Sequence, residues 1–212
     1  MIETFALKQA STADTETEAE TETETETRAH TEQELILLCQ QGDRDSFRLL
    51  YQSYQQRVRS TLYQLCGQSS LDDLVQEVFL RAWKGLPKLK TAKYFSTWLY
   101  RISWNVATDR RRKLARGNEK YVDRDRLDYS RDLSNVQDTS DLMHLHYQDL
   151  VQRGLDNLSF EHRAVLVLHD LEDIPQKEVA EILDIPVGTV KSRLFHARNS
   201  FKKFLEQQGI SL

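Results

Sequence analysis

The chain has 212 residues, with 29 Lys and Arg against 33 Asp and Glu, for a formal net charge of −4. Hydrophobic residues make up 39% and charged residues 29%, with a mean hydropathy of −0.62. No apolar run approaches the roughly 20 residues that a spanning helix needs, which excludes an integral membrane protein. Residues 1–10 lack a basic stretch followed by an apolar one, so no secretory signal is expected. Seven Gly and three Pro are few for a chain of strands and tight turns, and this tilts the expectation towards an all-α protein.

The charge is unevenly placed. Residues 1–34 hold ten acids and two bases, net −8, which leaves 27 bases and 23 acids, net +4, for residues 35–212. A basic body behind an acidic tail is a reason to look for a polyanionic partner. Cys39 and Cys66 lie 27 positions apart in apolar helical patterns, which is neither a disulfide framework nor a zinc motif. His144 and His146 have no Cys or His cluster beside them and read as surface imidazoles. No metal or cofactor is expected. With no nucleophile–base pair and no phosphate-cradling loop, no catalytic residues are assigned, and the chain reads as a non-enzyme.

Residues 14–27 alternate Thr and Glu almost perfectly. Neither residue is apolar, so neither face of a strand could be buried, and residues 1–30 read as a disordered acidic tail. A plain solvated tail is one reading; a nucleic-acid mimic covering a basic surface of the same chain is the other. From Thr31, Leu35 and Leu38, and then Phe47, Leu50, Tyr51, Tyr54, Val58, Leu62 and Leu65, recur at three- and four-residue steps. This predicts two helices broken at 41–43. Ser70 with Asp73 resembles a capping box opening a third helix. Its stripe is Leu71, Leu74, Val75, Val78 and Ala82, and it stops at Gly85-Leu86-Pro87. After the loop 88–93 comes a helix with Phe95, Trp98, Leu99, Ile102 and Val106 on one face. It ends in the basic cluster Arg110, Arg111, Arg112, Lys113 and Arg116.

The first domain is therefore set at 31–116. Residues 117–140 are polar and aperiodic, a flexible acidic linker, and a second helical domain is expected over 141–208. Within it, residues 176–195 fit a helix-turn-helix position by position. Ala180 is small where the second helix crosses. Val179, Leu183, Ile185, Val190 and Leu194 make the contact, and Asp184 takes the left-handed turn. From Gly188 to Lys203 there are five bases and no acid. Lys191, Ser192, Phe195 and His196 should share one exposed surface suited to base edges and phosphates in the major groove.

Two further faces look functional. The segment 98–116 carries six bases and one acid. Tyr100, Arg101, Trp104 and Asn105 are assigned to its exposed side, and Phe95 and Trp98 to the core. Aromatics interleaved with bases suit single-stranded DNA, because rings stack on bases while guanidinium groups hold phosphates. The helix 72–83 presents Asp72, Asp73, Gln76, Glu77, Leu80 and Trp83 away from its buried stripe. Its exposed apolar pair, Leu80 and Trp83, favours a protein partner.

Four segments, 42–54 (GDRDSFRLLYQSY), 72–83 (DDLVQEVFLRAW), 95–113 (FSTWLYRISWNVATDRRRK) and 176–198 (QKEVAEILDIPVGTVKSRLFHAR), together resemble a small two-domain sigma factor of bacterial RNA polymerase, of the extracytoplasmic-function (ECF) type. The resemblance implies a cytoplasmic transcription initiation factor that binds core RNA polymerase and is nucleoid-associated through it. Asp72, Asp73, Gln76, Glu77, Leu80 and Trp83 would dock on the clamp helices of the largest subunit. Lys88, Lys90, Lys93, Tyr94, Ser96, Arg101, Asn105 and Arg110 would recognise and open the −10 element, capturing an unstacked base. Thr189, Lys191, Ser192, Arg193, Phe195, His196 and Arg198 would read the −35 element. The linker would thread the polymerase interior. Partners would be core polymerase, double-stranded and melted promoter DNA and an anti-sigma factor, with no membrane insertion. His196 stands where relatives often carry Arg, so the −35 preference would differ, or binding would weaken as His loses its proton.

Two rival classes stay open on the residues alone. A free-standing regulator would carry the helix-turn-helix but would not need the face 72–83. A sequestering protein would bind polymerase and stay silent on DNA.

Overall fold

The computed structural model describes residues 31–117 and 139–210, and the side chains of all of these except 139–146. The acidic tail, the linker over 118–138, and the side chains of Leu142, His144, Leu145 and His146 lie outside the described residues. Among the described residues eight α-helices follow one another: α1 (Glu32–Gln40), α2 (Arg44–Cys66), α3 (Leu71–Gly85), α4 (Phe95–Ala115), α5 (Thr139–Asp156), α6 (Phe160–Leu166), α7 (Gln176–Leu183) and α8 (Val187–Gln207). Two 3-10 turns, Leu86–Lys88 and Ala92–Tyr94, join α3 to α4, and one π-helical turn, Val167–Leu171, extends α6. There is no strand among the described residues, and no helix among them is long and apolar enough to cross a membrane.

The helix starts follow local chemistry. Thr31 and Glu34 form a reciprocal capping box at α1: Glu34 N donates to Thr31 Oγ1 (3.3 Å) and Thr31 N to Glu34 Oε2 (2.9 Å). Two of the amides that a helix start leaves unpaired are satisfied this way. Asp43 caps α2 by accepting from Ser46 N at 2.8 Å, after Gly42 turns the chain at φ +94°. The box expected at Ser70 and Asp73 does not form. Ser70 sits in the left-handed region (φ 57°), and its side chain makes no capping bond. Asp72 and Asp73 in the first turn of α3 still face the positive end of the helix dipole.

In the N-terminal half, Leu50, Val58 and Leu62 of α2 meet Val78 and Ala82 of α3 and Phe95 and Leu99 of α4, all nearly inaccessible to solvent. In the C-terminal half, Leu155, Val165, Leu168, Val179, Ile182, Val190 and Leu194 bury together. The two sets form one continuous apolar cluster, because α7 packs along α4 and the end of α6 against α2. Gly154 in α5 allows a close crossing, since a Cβ there would stand 2.5 Å from a ring carbon of Phe201 in α8. Gly85, read as a helix stop, has a second role: a Cβ there would lie 2.8 Å from Trp98 Cζ2. Trp98 is accordingly a half-buried rim residue, tilted against Phe95 at 5.9 Å.

Cys39 is buried and Cys66 half-buried, both as free thiols. Burial pushes each up to about 11, with Asp43 adding to the effect at Cys39. They are packing groups rather than nucleophiles at neutral pH. Leu62 has no solvent exposure, so Leu62→Ala should cost about 2–5 kcal/mol by transfer and cavity terms together. The denaturant midpoint should fall at an unchanged m-value.

Candidate functional site

The helix-turn-helix is built as its sequence requires. Asp184 takes the left-handed conformation (φ 56°, ψ 49°) after α7, and Ile185 N donates back to Ala180 O at 3.0 Å. Val179, Ala180, Leu183, Val190 and Leu194 are buried between the two helices. Pro186 then precedes the first turn of α8, where a missing N–H costs nothing. On the outer face of α8, Lys191, Ser192, Phe195, His196 and Arg198 are exposed, while Thr189 and Arg193 are half-buried. Phe195 is 64% exposed, an unusual place for a large aromatic side chain. Its ring lies 5.5 Å from that of His196, which in turn lies 6.2 Å from His162.

Arg198 is already engaged. Its Nε and Nη2 donate to the two carboxylate oxygens of Asp170, at 2.9 and 2.5 Å. Those hydrogen bonds raise its pKa against the opposing effect of burial, and fix the plane of the guanidinium. Asp170, on the π-helical turn after α6, was not marked in the sequence. A carboxylate 28 positions away leaves no trace in local pattern.

On α3, Asp72, Asp73, Gln76 and Leu80 are exposed, and Glu77 and Trp83 half-buried. Glu77 is ion-paired with Arg81 at 2.7 Å, and Asp72 with Arg59 of α2. Asp72, Gln76, Leu80 and Trp83, but not Asp73 or Glu77, line one wall of a groove of about 610 Å³, whose other wall is α2, contributing Arg44, Phe47, Tyr51 and Arg59. Trp83 tilts over Phe47 at 4.9 Å, and Tyr51 meets Phe79 edge-on at 4.6 Å. Phe47 and Tyr51, which belong to the apolar repeat of α2, line this groove, and Phe47 also packs against the core.

Between α3 and α4, Lys88, Lys90, Lys93 and Tyr94 are all exposed, Tyr94 by 55%. The connection is held from α1: Gln40 Nε2 donates to Leu86 O (3.2 Å) and Leu89 O (2.7 Å). Both ends of the first 3-10 turn are thereby pinned by one amide. Ser96 and Arg110 are half-buried, with Arg110 Nη2 3.4 Å from Ser69 Oγ, while Arg101 and Asn105 are exposed.

Two assignments need correction. Tyr100, placed on the exposed side, is buried at 6% exposure, and its hydroxyl donates to Glu172 Oε2 at 2.8 Å. Burial first, then the Glu172 charge and the bond to it, hold this phenol far above its usual range. Trp104 is half-buried, with its ring stacked on Phe160 at 4.9 Å and 18° between planes. Both are covered because the C-terminal half packs along α4, a contact no periodicity within α4 could reveal.

These surfaces sit in segments that match two family models. Sigma-70 region 2 matches residues 50–117, and sigma-70 region 4 matches residues 148–200. The ECF RNA polymerase sigma-E factor of Haemophilus influenzae is 31% identical over 183 residues, covering 83% of this chain and 96% of that one. The chain belongs to the ECF sigma factors of the sigma-70 family. The sigma-E factor of Escherichia coli K12 is 30% identical over 175 residues, covering 80% of this chain and 92% of that one.

Among solved structures, CnrH in complex with the cytosolic domain of CnrY aligns with a TM-score of 0.61 at 21% identity, over 83% of this chain and 97% of that one. RpoE of Bartonella quintana, in complex with the anti-sigma factor NepR, gives 0.57 at 22% identity, over 76% and 96%. These two neighbours support the sigma-factor fold. For this ECF sigma factor, the pinned turn gives a local expectation. Gln40→Leu removes both donors from carbonyls that lie partly buried, at about 1–3 kcal/mol. Amide hydrogen exchange over 86–94 should quicken, with the melting of the remaining helices little changed.

Proposed function

We propose that this ECF sigma factor directs core RNA polymerase to its promoters through three surfaces: the groove between α2 and α3 docks the polymerase, the loop 88–94 with the exposed side of α4 opens the −10 element, and α8 reads the −35 element. The supporting observation is the join of two unlike surfaces on one chain. An aromatic groove with Asp72 on its α3 wall lies in the N-terminal half, and a basic helix face without an acid from Gly188 to Lys203, presented by a helix-turn-helix, lies in the C-terminal half. A DNA-binding regulator needs only the second, and a sequestering protein only the first.

The division of labour follows from chemistry. Leu80 and Trp83 supply desolvated contact area, with Asp72, Asp73, Gln76 and Glu77 setting charge complementarity around them. Lys88, Lys90 and Lys93 supply phosphate charge beside Tyr94, whose exposed ring can stack on an extruded base, and Ser96, Arg101, Asn105 and Arg110 continue that track. On α8, Lys191, Arg193 and Arg198 address phosphates and purine edges, while Thr189, Ser192, Phe195 and His196 face the groove floor. Each contact alone is weak. Docking both halves on polymerase makes the second DNA contact effectively intramolecular. Opening then rests on stabilising exposed bases, with no bond chemistry.

The domain limits 31–116 and 141–208, with the linker threading the polymerase between them, belong to the same reading. So does nucleoid association through the polymerase. An anti-sigma partner fits as well, since whatever covers the α2–α3 groove blocks docking; the Bartonella quintana relative was solved with such a factor.

Transcription from genomic promoter fragments by purified core polymerase tests the proposal: adding the protein should create discrete new start sites. Lys191→Ala with Arg193→Ala should lower transcription from −35-dependent promoters at least tenfold, while the same variant still binds core in a pull-down. Equal loss of both activities would show that the surfaces are not divided as proposed.

A further inference from the structure

Arg198 carries a carboxylate onto the outer face of α8. It follows Lys191 by seven residues and Phe195 by three, which places these three exposed side chains on one helical face, about 10 Å from first to last along the axis. Its Nε and Nη2 donate to the two oxygens of Asp170 at 2.9 and 2.5 Å, while the side chain stays 54% exposed. The irregular backbone around Asp170 holds the acid in turn. Glu172 N donates to Val167 O and Ile174 N to Leu168 O, both at 3.0 Å, so two backbone bonds span Asp170 on the π-helical turn. His169 Nδ1 lies 2.8 Å from Ile174 O. Its Nε2 stands 4.0 Å from Asp170 Oδ1, too far for a hydrogen bond that would compete with Arg198.

An acid on a DNA-facing surface is unfavourable on charge alone, because it opposes the phosphates and cancels the cation it touches. A neutralised pair therefore makes a poor phosphate clamp. Its geometry suits a base. A guanidinium has five N–H donors in a rigid fork. Asp170 takes one from Nε and one from Nη2 along one edge, which leaves the parallel N–H pair of Nη1 and Nη2 along the next. That pair matches the O6 and N7 acceptors of guanine in the major groove.

We infer that Asp170 is a specificity-determining positioning residue, which locks Arg198 so that its Nη1–Nη2 edge meets a guanine of the −35 element. The inference rests on the reading of α8 as the −35 surface and adds what one of its contacts recognises. An unbraced arginine gives up rotamer freedom on binding, and it can swing to a phosphate whichever base is present. Arg198 has already given up that freedom, and the carboxylate holds it away from the second choice.

The test uses holoenzyme, reconstituted from the full chain and core polymerase, on a promoter at which it starts transcription. Each base pair of the −35 element is changed in turn to the other three, and competition binding gives the base preference at every position. Asp170→Asn keeps the size of the side chain but leaves one acceptor oxygen, and Arg198→Lys keeps the charge but removes the fork. Each should weaken the preference for guanine roughly tenfold at one and the same position. Combining them should weaken it no further, and preferences at the other positions should be retained. Charge alone predicts the opposite for Asp170→Asn, tighter binding at every sequence.

A guanine preference left intact in Asp170→Asn, or lost by the two variants at different positions, overturns the inference. An even loss at all positions overturns it too. With a lowered melting temperature, that result marks the pair as a brace between α6 and α8; without one, it marks Arg198 as a phosphate contact. The α8 reading is checked separately with Lys191→Ala and Arg193→Ala together. If that variant loses −35 preference while Asp170→Asn keeps it, the −35 surface stands and only the positioning role falls. If it keeps every preference, the α8 reading fails and the inference with it.

Discussion

Helix α4 packs against α2 and α3 on one side and α7 on the other. One face, through Phe95, Leu99 and Val106, is buried against α2 and α3. The flank carrying Thr97, Tyr100 and Trp104 lies against the C-terminal half. A helix covered on both sides has little freedom to tilt, so the loop before it and the basic run after it are held in place by packing that lies elsewhere. Arg81 of α3 adds a brace, donating to Asp109 on α4 at 2.9 Å and to Glu77 at 2.7 Å. Loss of α4 packing would therefore disturb the groove, the loop and the interface with the C-terminal half together.

The same dependence explains the arrangement of polar residues around the loop 88–94. Short 3-10 turns make poor internal hydrogen bonds, and this connection has two of them. Gln40, at the last turn of α1, supplies donors from outside. In the proposed −10 role, the segment benefits from being presented in one shape before it meets unstacked bases, because ordering a loop on binding subtracts from affinity. Leaving Lys88, Lys90, Lys93 and Tyr94 exposed while the backbone beneath them is fixed achieves that.

Much of this was legible in the sequence, and the failures have a common cause. Apolar spacing located α1 to α4 and the helix-turn-helix because each buries one stripe. Asp184 was legible as a left-handed turn because few residue types accept that geometry. The box expected from Ser70 and Asp73 failed because the chain enters α3 through a left-handed residue, whereas a side-chain cap needs the extended backbone usual at that position. Phe47 and Tyr51 fall within the apolar repeat of α2, and nothing local shows that they line a groove. Tyr100, Trp104, Gln40 and Asp170 were misplaced or passed over for one reason: their partners are 46 to 72 positions away, or 28 for Asp170. Local pattern records which face of a helix is apolar. It does not record a hydroxyl that waits for a carboxylate on another domain.

The polar contacts across the α4 interface are individually modest. Arg111 and Glu161 are 52% and 42% exposed, so their attraction is screened and worth about 0–1 kcal/mol. The bond from Tyr100 to Glu172 is shielded at the phenol and joins a neutral donor to an ion, a class worth about 1.5–3 kcal/mol when lost. Stacking of Phe160 on Trp104 adds about 0.5–1.5 kcal/mol beyond its area. These polar terms add to the apolar packing that runs continuously from one half to the other, through α7 along α4 and the end of α6 against α2. Burial of apolar area there is the larger contribution, because it sums over many side chains while each polar contact is offset by lost hydration.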